Sequence, residues 1–314
     1  MKIVALTTHV EGHLDSIQEA VPEVEIVETL DDDALLGEVG DAEVLFTGHF
    51  GEDLVDAAER LKWVQVSAAG VEWMPKEAIA RRGWLVTNAA GIHAIPVAET
   101  AVALLSGVAR RVDSTTRNRV KGEWVRPEDV FELFEKTAGV IAMGGIGRAF
   151  AERAKGLGMR IIGVDVNPAA KPDCVDELRG IDELDWLLES SDVVCMTAPD
   201  TPKSHHMMDA GRFAQMKEGS IFLNVSRGGL VDTEALIDAI DSGKFFGVGL
   251  DVIEGEPLEA DHPIWRRDDV LITPHVGGMS PRRIERMIEL FVENLRRYQA
   301  GERLLNVVDL DAGF

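Results

Sequence analysis

Residues 138–158 read AGVIAMGGIGRAFAERAKGLG, and this stretch decides the fold. An apolar run, GVIAM (139–143), enters a glycine-rich turn and leaves it as a helical pattern, AFAERAKGLG. Glycines let a backbone approach a pyrophosphate, and a helix N-terminus offers it free N–H groups and a positive dipole end. Gly144, Gly145, Ile146 and Gly147 are therefore candidate cofactor-binding residues. Asp165 ends the next apolar run, eighteen residues after Gly147, close to the spacing at which an acid takes the ribose hydroxyls of a dinucleotide. A carboxylate there accepts from a 2′-OH and repels a 2′-phosphate, which favours NAD over NADP. The register has one departure, Ala142-x-Gly144-x-x-Gly147, with alanine where a glycine usually makes the tight turn. That change leaves room for NADP.

Outward from this turn, short β-like runs alternate with longer amphipathic segments. KIVAL (2–6), VEIVE (24–28), EVLFT (43–47), KWVQV (62–66) and WLVT (84–87) form one series. GVIAM, RIIGVD (160–165), DVVCM (192–196), SIFLNV (220–225), FGVGL (246–250) and DVLIT (269–273) form a second. Such alternation is the signature of parallel sheets with crossover helices, and two series imply two α/β domains. Between them, IPVAETAVALLSGVARR (95–111) predicts a long, largely buried helix with Pro96 in its first turn. SPRRIERMIELFVENLRRYQAG (280–301) predicts another, with Ser280 as cap, Gly301 as stop, and a stripe of Ile284, Met287, Ile288, Phe291, Leu295 and Tyr298. LLNVV (304–308) then reads as a short strand or extended tail that can return to the first domain.

The 314 residues suit two domains of roughly 100–200 residues each. With 46 % hydrophobic and 28 % charged residues the chain is expected to be globular. Its net charge of −23 repels phosphate backbones and anionic lipids, so nucleic acid and membrane surfaces are poor partners. No apolar run is long enough to span a bilayer, and MKIVALTTHVEG reads as a first strand rather than a signal peptide. Two cysteines without CxxC spacing fit a reducing cytoplasm. The acidity, with 22 Arg against 10 Lys, also suits a halophilic, salt-rich cytoplasm, although Arg excess fits a GC-rich genome as well.

Three polar residues follow strands of the second series: Arg227 in NVSRGGLVD, Glu256 in LDVIEGEPL and His275 in ITPHVGG. In a parallel sheet such positions collect along one crevice. There an Arg can clamp a carboxylate or polarise a carbonyl, a His can exchange a proton near neutral pH, and a Glu can orient that His. Strand-end Arg and Glu also often make purely structural ion pairs, so spacing alone leaves the roles open.

These motifs, together with LKWVQVSAAGVEWM, TNAAGIHAIPVAETAVALL and the glycine-rich turn, resemble the D-isomer-specific 2-hydroxyacid dehydrogenase family over nearly the whole chain from about residue 60. The resemblance implies a Rossmann NAD-binding domain (95–283) inserted in a flavodoxin-like substrate domain (1–94 plus 284–314). It implies Arg227 as substrate clamp, His275 as acid/base, Glu256 as its partner, and Asp251 and Pro199 on the cofactor side. Ala69, Gly70 and Val71 would cradle the substrate carboxylate with backbone N–H groups. The implied reaction is reduction of small 2-keto acids to D-2-hydroxy acids in a homodimer, with domain closure excluding water. The other class with this fold is a non-catalytic NAD(H)-sensing module or corepressor, against which the intact Arg/Glu/His set argues. Without a basic cluster or a further domain after residue 314, phosphoglycerate is disfavoured as substrate.

The chain departs from the family pattern at Ala142, at Glu135 (usually Gly) and at Asp200 in TAPDTP (usually apolar), and two added carboxylates near a pyrophosphate would repel it. His205-His206, with Met207-Met208, reads as a helix-entry loop rather than a metal site, since no further ligand has metal spacing, and no metal is expected. His93 is a candidate for lining the cleft. Trp124 and Arg126 fall in a polar loop that could reach a substrate across a dimer or cleft, and His9 and His13 carry no assignment.

Overall fold

The computed structural model describes residues 1–6, 12–71 and 73–310, so His9 lies outside the described residues. Strands β1 (Lys2–Leu6), β2 (Glu25–Thr29), β3 (Val44–Thr47), β4 (Trp63–Val66) and β5 (Leu85–Thr87) form a parallel sheet in the order β2-β1-β3-β4-β5. This is the flavodoxin-like strand order. A second parallel sheet contains β6 (Thr137–Ile141), β7 (Arg160–Asp165), β8 (Glu177–Gly180), β9 (Val193–Met196), β10 (Ser220–Asn224), β11 (Phe245–Leu250) and β12 (Val270–Ile272), in the order β12-β11-β10-β9-β6-β7-β8. Numbered from β6, that is 3-2-1-4-5-6 with one strand added, the dinucleotide-binding order, and its direction of growth reverses between β6 and β9. The chain divides into one compact unit of residues 1–92 with 280–314, and another of residues 93–279. The divisions lie a few residues before those expected at 94 and 283.

Strand β8, absent from the sequence expectation, is the charged segment ELRG at the sheet's edge, with Glu177 paired to Arg179 and Arg160. An edge strand gains from charge, which discourages pairing with another chain, so apolar alternation is the wrong signal for it. Strand β6 ends at Ile141, two residues before its expected end, because Ala142 turns into the left-handed region at φ 73°. The long helix runs Ala94–Ala109 rather than to 111. Arg111 adopts φ 54°, and its guanidinium lies 3.9 Å above the Phe246 ring and pairs with Asp129. That helix lies close on β11: added Cβ atoms at Gly247 and Gly249 would stand 2.6 Å from Val108 Cγ1 and 3.0 Å from Leu104 Cβ. The glycines of GVGL are thus a packing requirement.

In the first unit the C-terminal helix spans Arg283–Ala300 and ends on Gly301 at φ 70°. Ser280 does not cap it. Its Oγ accepts from Arg282 N in a turn ahead of the helix, so the helix starts two residues later than Ser280 would set it. The expected stripe buries Met287, Ile288, Phe291 and Leu295, with Phe291 4.4 Å from the Phe46 ring and 5.5 Å from that of Trp63. A buried polar chain joins the sheet to this helix. Trp63 Nε1 donates to Thr87 Oγ1, Thr87 donates to Gln65 Oε1, and Asn294 Nδ2 donates to the same oxygen. Asn294 Oδ1 accepts from Leu305 N, and the tail pairs with β5 through Val308 N–Val86 O and Asn88 N–Asn306 O. The tail therefore does return to the first sheet, although as an isolated bridge at Val307.

Glu135 shares the left-handed conformation of Ala142, with φ 61°. Non-glycine residues pay about 1–2 kcal/mol there, partly offset in any glycine variant by the larger entropy of the unfolded chain. Glu135→Gly and Ala142→Gly are each expected to raise the unfolding free energy by about 0.5–1 kcal/mol. Urea unfolding at fixed KCl concentration measures this, and a loss of stability in both would mean that neither position stores strain.

Candidate active site

The turn after β6 starts the helix Gly145–Gly156, whose N-terminus has no side-chain cap. A Cβ on Gly144 would meet no atom within 4 Å, so the backbone there is open to a ligand. A Cβ on Gly147 would collide with Ala142 O, so this glycine is required for the helix to sit against the turn. Thr197, at the end of β9, braces the same turn: its Oγ1 lies 2.7 Å from Ala142 O and 3.0 Å from Ile141 O. Asp165 ends β7, and its carboxylate takes Met143 N at 2.6 Å and Asn167 N at 2.7 Å, one on each oxygen. A carboxylate has about four acceptor sites, so two remain for ribose hydroxyls. The open Gly144, the uncapped helix start and Asp165 fit a dinucleotide. Pro199 is exposed on the loop after β9, and its carbonyl accepts from Ser204 Oγ at 2.7 Å.

Three further loops leave the same edge of the sheet. Arg227 follows β10 with extended backbone, half-buried, its Nη1 on Ser226 O at 2.8 Å. Buried Asn224 shapes that loop, donating to Arg227 O at 2.9 Å and accepting from Ser226 N. Glu256 follows β11 and His275 follows β12. His275 Nδ1 meets Glu256 Oε2 at 2.8 Å, while Glu256 Oε1 accepts from Ile253 N. An ionised carboxylate only accepts, so Nδ1 carries the proton of this bond and Nε2 is the ring nitrogen left to exchange one. Beside the pair lies a cavity of about 430 Å³ with mainly apolar walls, including Ile253, Leu258, Trp265, Ile272 and Pro274.

Asp251 is 3 % exposed and does not face outward as a ligand group. Its Oδ1 accepts from Thr273 Oγ1 at 2.6 Å and Val276 N at 3.0 Å, and its Oδ2 from Gly277 N at 2.8 Å. With His275 N donating to Asp251 O at 2.8 Å, one residue holds both sides of the His275 loop, and His275 itself sits at φ 52°. The sequence pointed to Asp251 only as a cofactor-side acid. Its bracing role, like those of Thr197 and Asn224, leaves no periodic signal to read. His93 precedes the long helix, its Nδ1 3.0 Å from Gly278 O, and Trp124 is 96 % exposed.

In the first unit, Asn88 Nδ2 holds Ala69 O at 2.9 Å and Trp73 Nε1 holds Gly70 O at 3.2 Å. Among the described residues no acceptor takes the backbone N–H groups of Ala69, Gly70 or Val71. A turn with its carbonyls engaged and its N–H groups available can receive an anion.

His205 and His206 occupy the turn ahead of the short helix Ala210–Gln215, as a helix-entry loop should. The absence of a further ligand does not hold, however. Glu254, from the loop after β11, places Oε1 3.0 Å from His206 Nε2, and this carboxylate raises the His206 pKa above the ordinary histidine value. Asp200 Oδ1 lies 3.7 Å from His205 Nδ1. Sequence spacing could not reveal a partner supplied by another strand's loop.

Residues 102–277 match the model for the D-isomer specific 2-hydroxyacid dehydrogenase NAD-binding domain. The chain belongs to the D-isomer-specific 2-hydroxyacid dehydrogenase family. It is 35 % identical to a glyoxylate reductase of Korarchaeum cryptofilum, over 84 % of this chain and 81 % of that one. It is 34 % identical to the D-3-phosphoglycerate dehydrogenase of Methanocaldococcus jannaschii over 95 % of its own length, and spans 58 % of that longer relative. The crystal structure of D-lactate dehydrogenase from Aquifex aeolicus, complexed with NAD and lactic acid, superposes with a TM-score of 0.73 at 27 % identity, covering 96 % of both chains.

Asp251→Ala would strand two backbone N–H groups and a threonine hydroxyl in the His275 loop. Its unfolding free energy is expected to fall by about 3 kcal/mol, and less in Asp251→Asn, which keeps one acceptor oxygen. Denaturant unfolding reads the difference; equal stability of Asp251→Ala and wild type would remove the bracing role.

Proposed function

We propose that this protein reduces small 2-keto acids to D-2-hydroxy acids with a nicotinamide cofactor, NAD(H) in preference to NADP(H). The observation that carries the proposal is the 2.8 Å bond between His275 and Glu256 at the strand ends of a dinucleotide-binding sheet. The bound nicotinamide supplies the hydride that reaches the keto carbon. His275 gives the Nε2 proton of its charged form to the carbonyl oxygen, so that a hydroxyl results, and takes one back in the reverse direction. Glu256 holds the ring to one orientation through Nδ1. Arg227 offers a planar fork to the carbonyl and carboxylate of the substrate. The N–H groups of Ala69, Gly70 and Val71 take the substrate carboxylate in this proposal. Gly144, Gly145, Ile146 and Gly147 receive the pyrophosphate and Asp165 the ribose, with Pro199 and Asp251 on the nicotinamide side, Asp251 acting through the loop it braces. The proton donor favours this reading over a sensor, which needs none.

The preference for NAD rests on Asp165, whose charge repels a 2′-phosphate. The relatives named glyoxylate reductase and the neighbour bound to NAD and lactic acid support a small keto-acid substrate. The test follows NADH and NADPH oxidation separately across a panel of 2-keto acids at low and high KCl. Turnover is expected with a small keto acid, faster with NADH, and higher in KCl if the net charge of −23 reflects a halophilic cytoplasm. His275→Ala should reduce turnover by roughly a hundred- to ten-thousandfold while NADH affinity changes little. Undiminished turnover in that variant would end the mechanism.

A homodimer is also proposed. Val112, Val120, Trp124, Val125, Val130 and Phe134 are each exposed along residues 112–134 of the second unit, and this run of exposed apolar side chains supports an interaction face there. Sedimentation equilibrium should give twice the chain mass, and Trp124→Glu should lower it; a monomer at every concentration would refute the assembly.

A further inference from the structure

His205, His206 and Glu254 place one ligand atom each within 4.8 Å of one another, the one such group of three found among the described residues. Two loops make it: His205 and His206 follow β9 and Glu254 follows β11. The loop after β10 lies between, with His206 N donating to Gly229 O at 2.8 Å. The two imidazole rings stack with centroids 4.1 Å apart, and His206 holds φ 49°, a conformation that non-glycine residues keep only where surroundings enforce it. Asp200 adds a second carboxylate beside His205. A tetrahedral ion with ligands at about 2.0–2.2 Å needs ligand atoms about 3.4 Å apart. His206 Nε2 and Glu254 Oε1 are already at 3.0 Å, and His205 is exposed enough to swing inward.

We propose that His205, His206 and Glu254 bind one borderline divalent cation of the zinc, cobalt and nickel class. Imidazole suits these ions, whereas magnesium and calcium take oxygen ligands. Three protein ligands leave a coordination position open to water. Bound there, the cation ties the loop after β9 to the loop that carries Glu256, two residues beyond Glu254.

Untagged full-length protein, freed of metal by a chelator, is titrated with Co²⁺ alone and followed by its visible ligand-field absorption. One Co²⁺ per chain is expected, displaced by Zn²⁺ and raising the melting temperature. His206→Ala and the near-isosteric Glu254→Gln should each weaken it by more than about tenfold. Circular dichroism establishes that the variants are folded, and Glu254→Gln decides the matter if His206→Ala is not. His275→Ala should retain the site. No saturable Co²⁺ binding, wild-type affinity in Glu254→Gln, or loss of the site only in His275→Ala would each overturn the proposal, the last by placing the ion on the acid/base pair.

Discussion

Every strand of the seven-stranded sheet runs in the same direction, so every loop that leaves a strand's carboxyl end opens at one edge. That constraint assembles the site. The glycine-rich turn follows β6, Asp165 ends β7, Thr197 and Pro199 follow β9, Arg227 follows β10, Glu256 follows β11 and His275 follows β12. Residues up to 133 positions apart in sequence become neighbours along one crevice without any long-range specificity in their own side chains. The reversal between β6 and β9 leaves a gap in the helix layer, where a ligand fits against backbone N–H groups.

Parallel strands place these loops but do not hold them. Buried polar groups do that, each with its partners supplied. Asp251 gathers two N–H groups and a hydroxyl from the loop of His275, Asn224 closes the loop of Arg227, and Thr197 braces the turn at Ala142. A buried carboxylate with three donors is far less costly than an unpaired one, and removing it exposes the desolvation of all of them. The first unit uses the same device: Thr87, Gln65 and Asn294 join its sheet to a helix that arrives more than two hundred residues later.

Three of the six left-handed non-glycine residues described lie at this edge. Ala142, His206 and His275 are all left-handed without being glycine, and all three lie in loops that follow strands of the second sheet. At His275 the surrounding hydrogen bonds keep the ring on Glu256. At Ala142 a methyl group stands where glycine would relieve the turn, and the hydroxyl of Thr197 and packing against the core hold it there.

Much of this was legible in the chain. Periodicity placed eleven strands and the helices between them, because buried strands and amphipathic helices carry their burial in residue type. The glycine-rich turn with Asp165 announced the dinucleotide sheet, and Arg227, Glu256 and His275 stood out because each follows an apolar run. What burial does not encode in residue type stayed hidden: the charged edge strand β8, the start of the C-terminal helix beyond Ser280, and the bracing by Asp251, Asn224 and Thr197. The sequence by itself determined eleven of the twelve strands among the described residues and which polar residues follow them, since buried strands carry their pattern locally. Only the tertiary structure decided that His275 meets Glu256, that Asp251 turns inward, and that Glu254 reaches His206, because those contacts depend on strand order and loop path, which no local pattern carries.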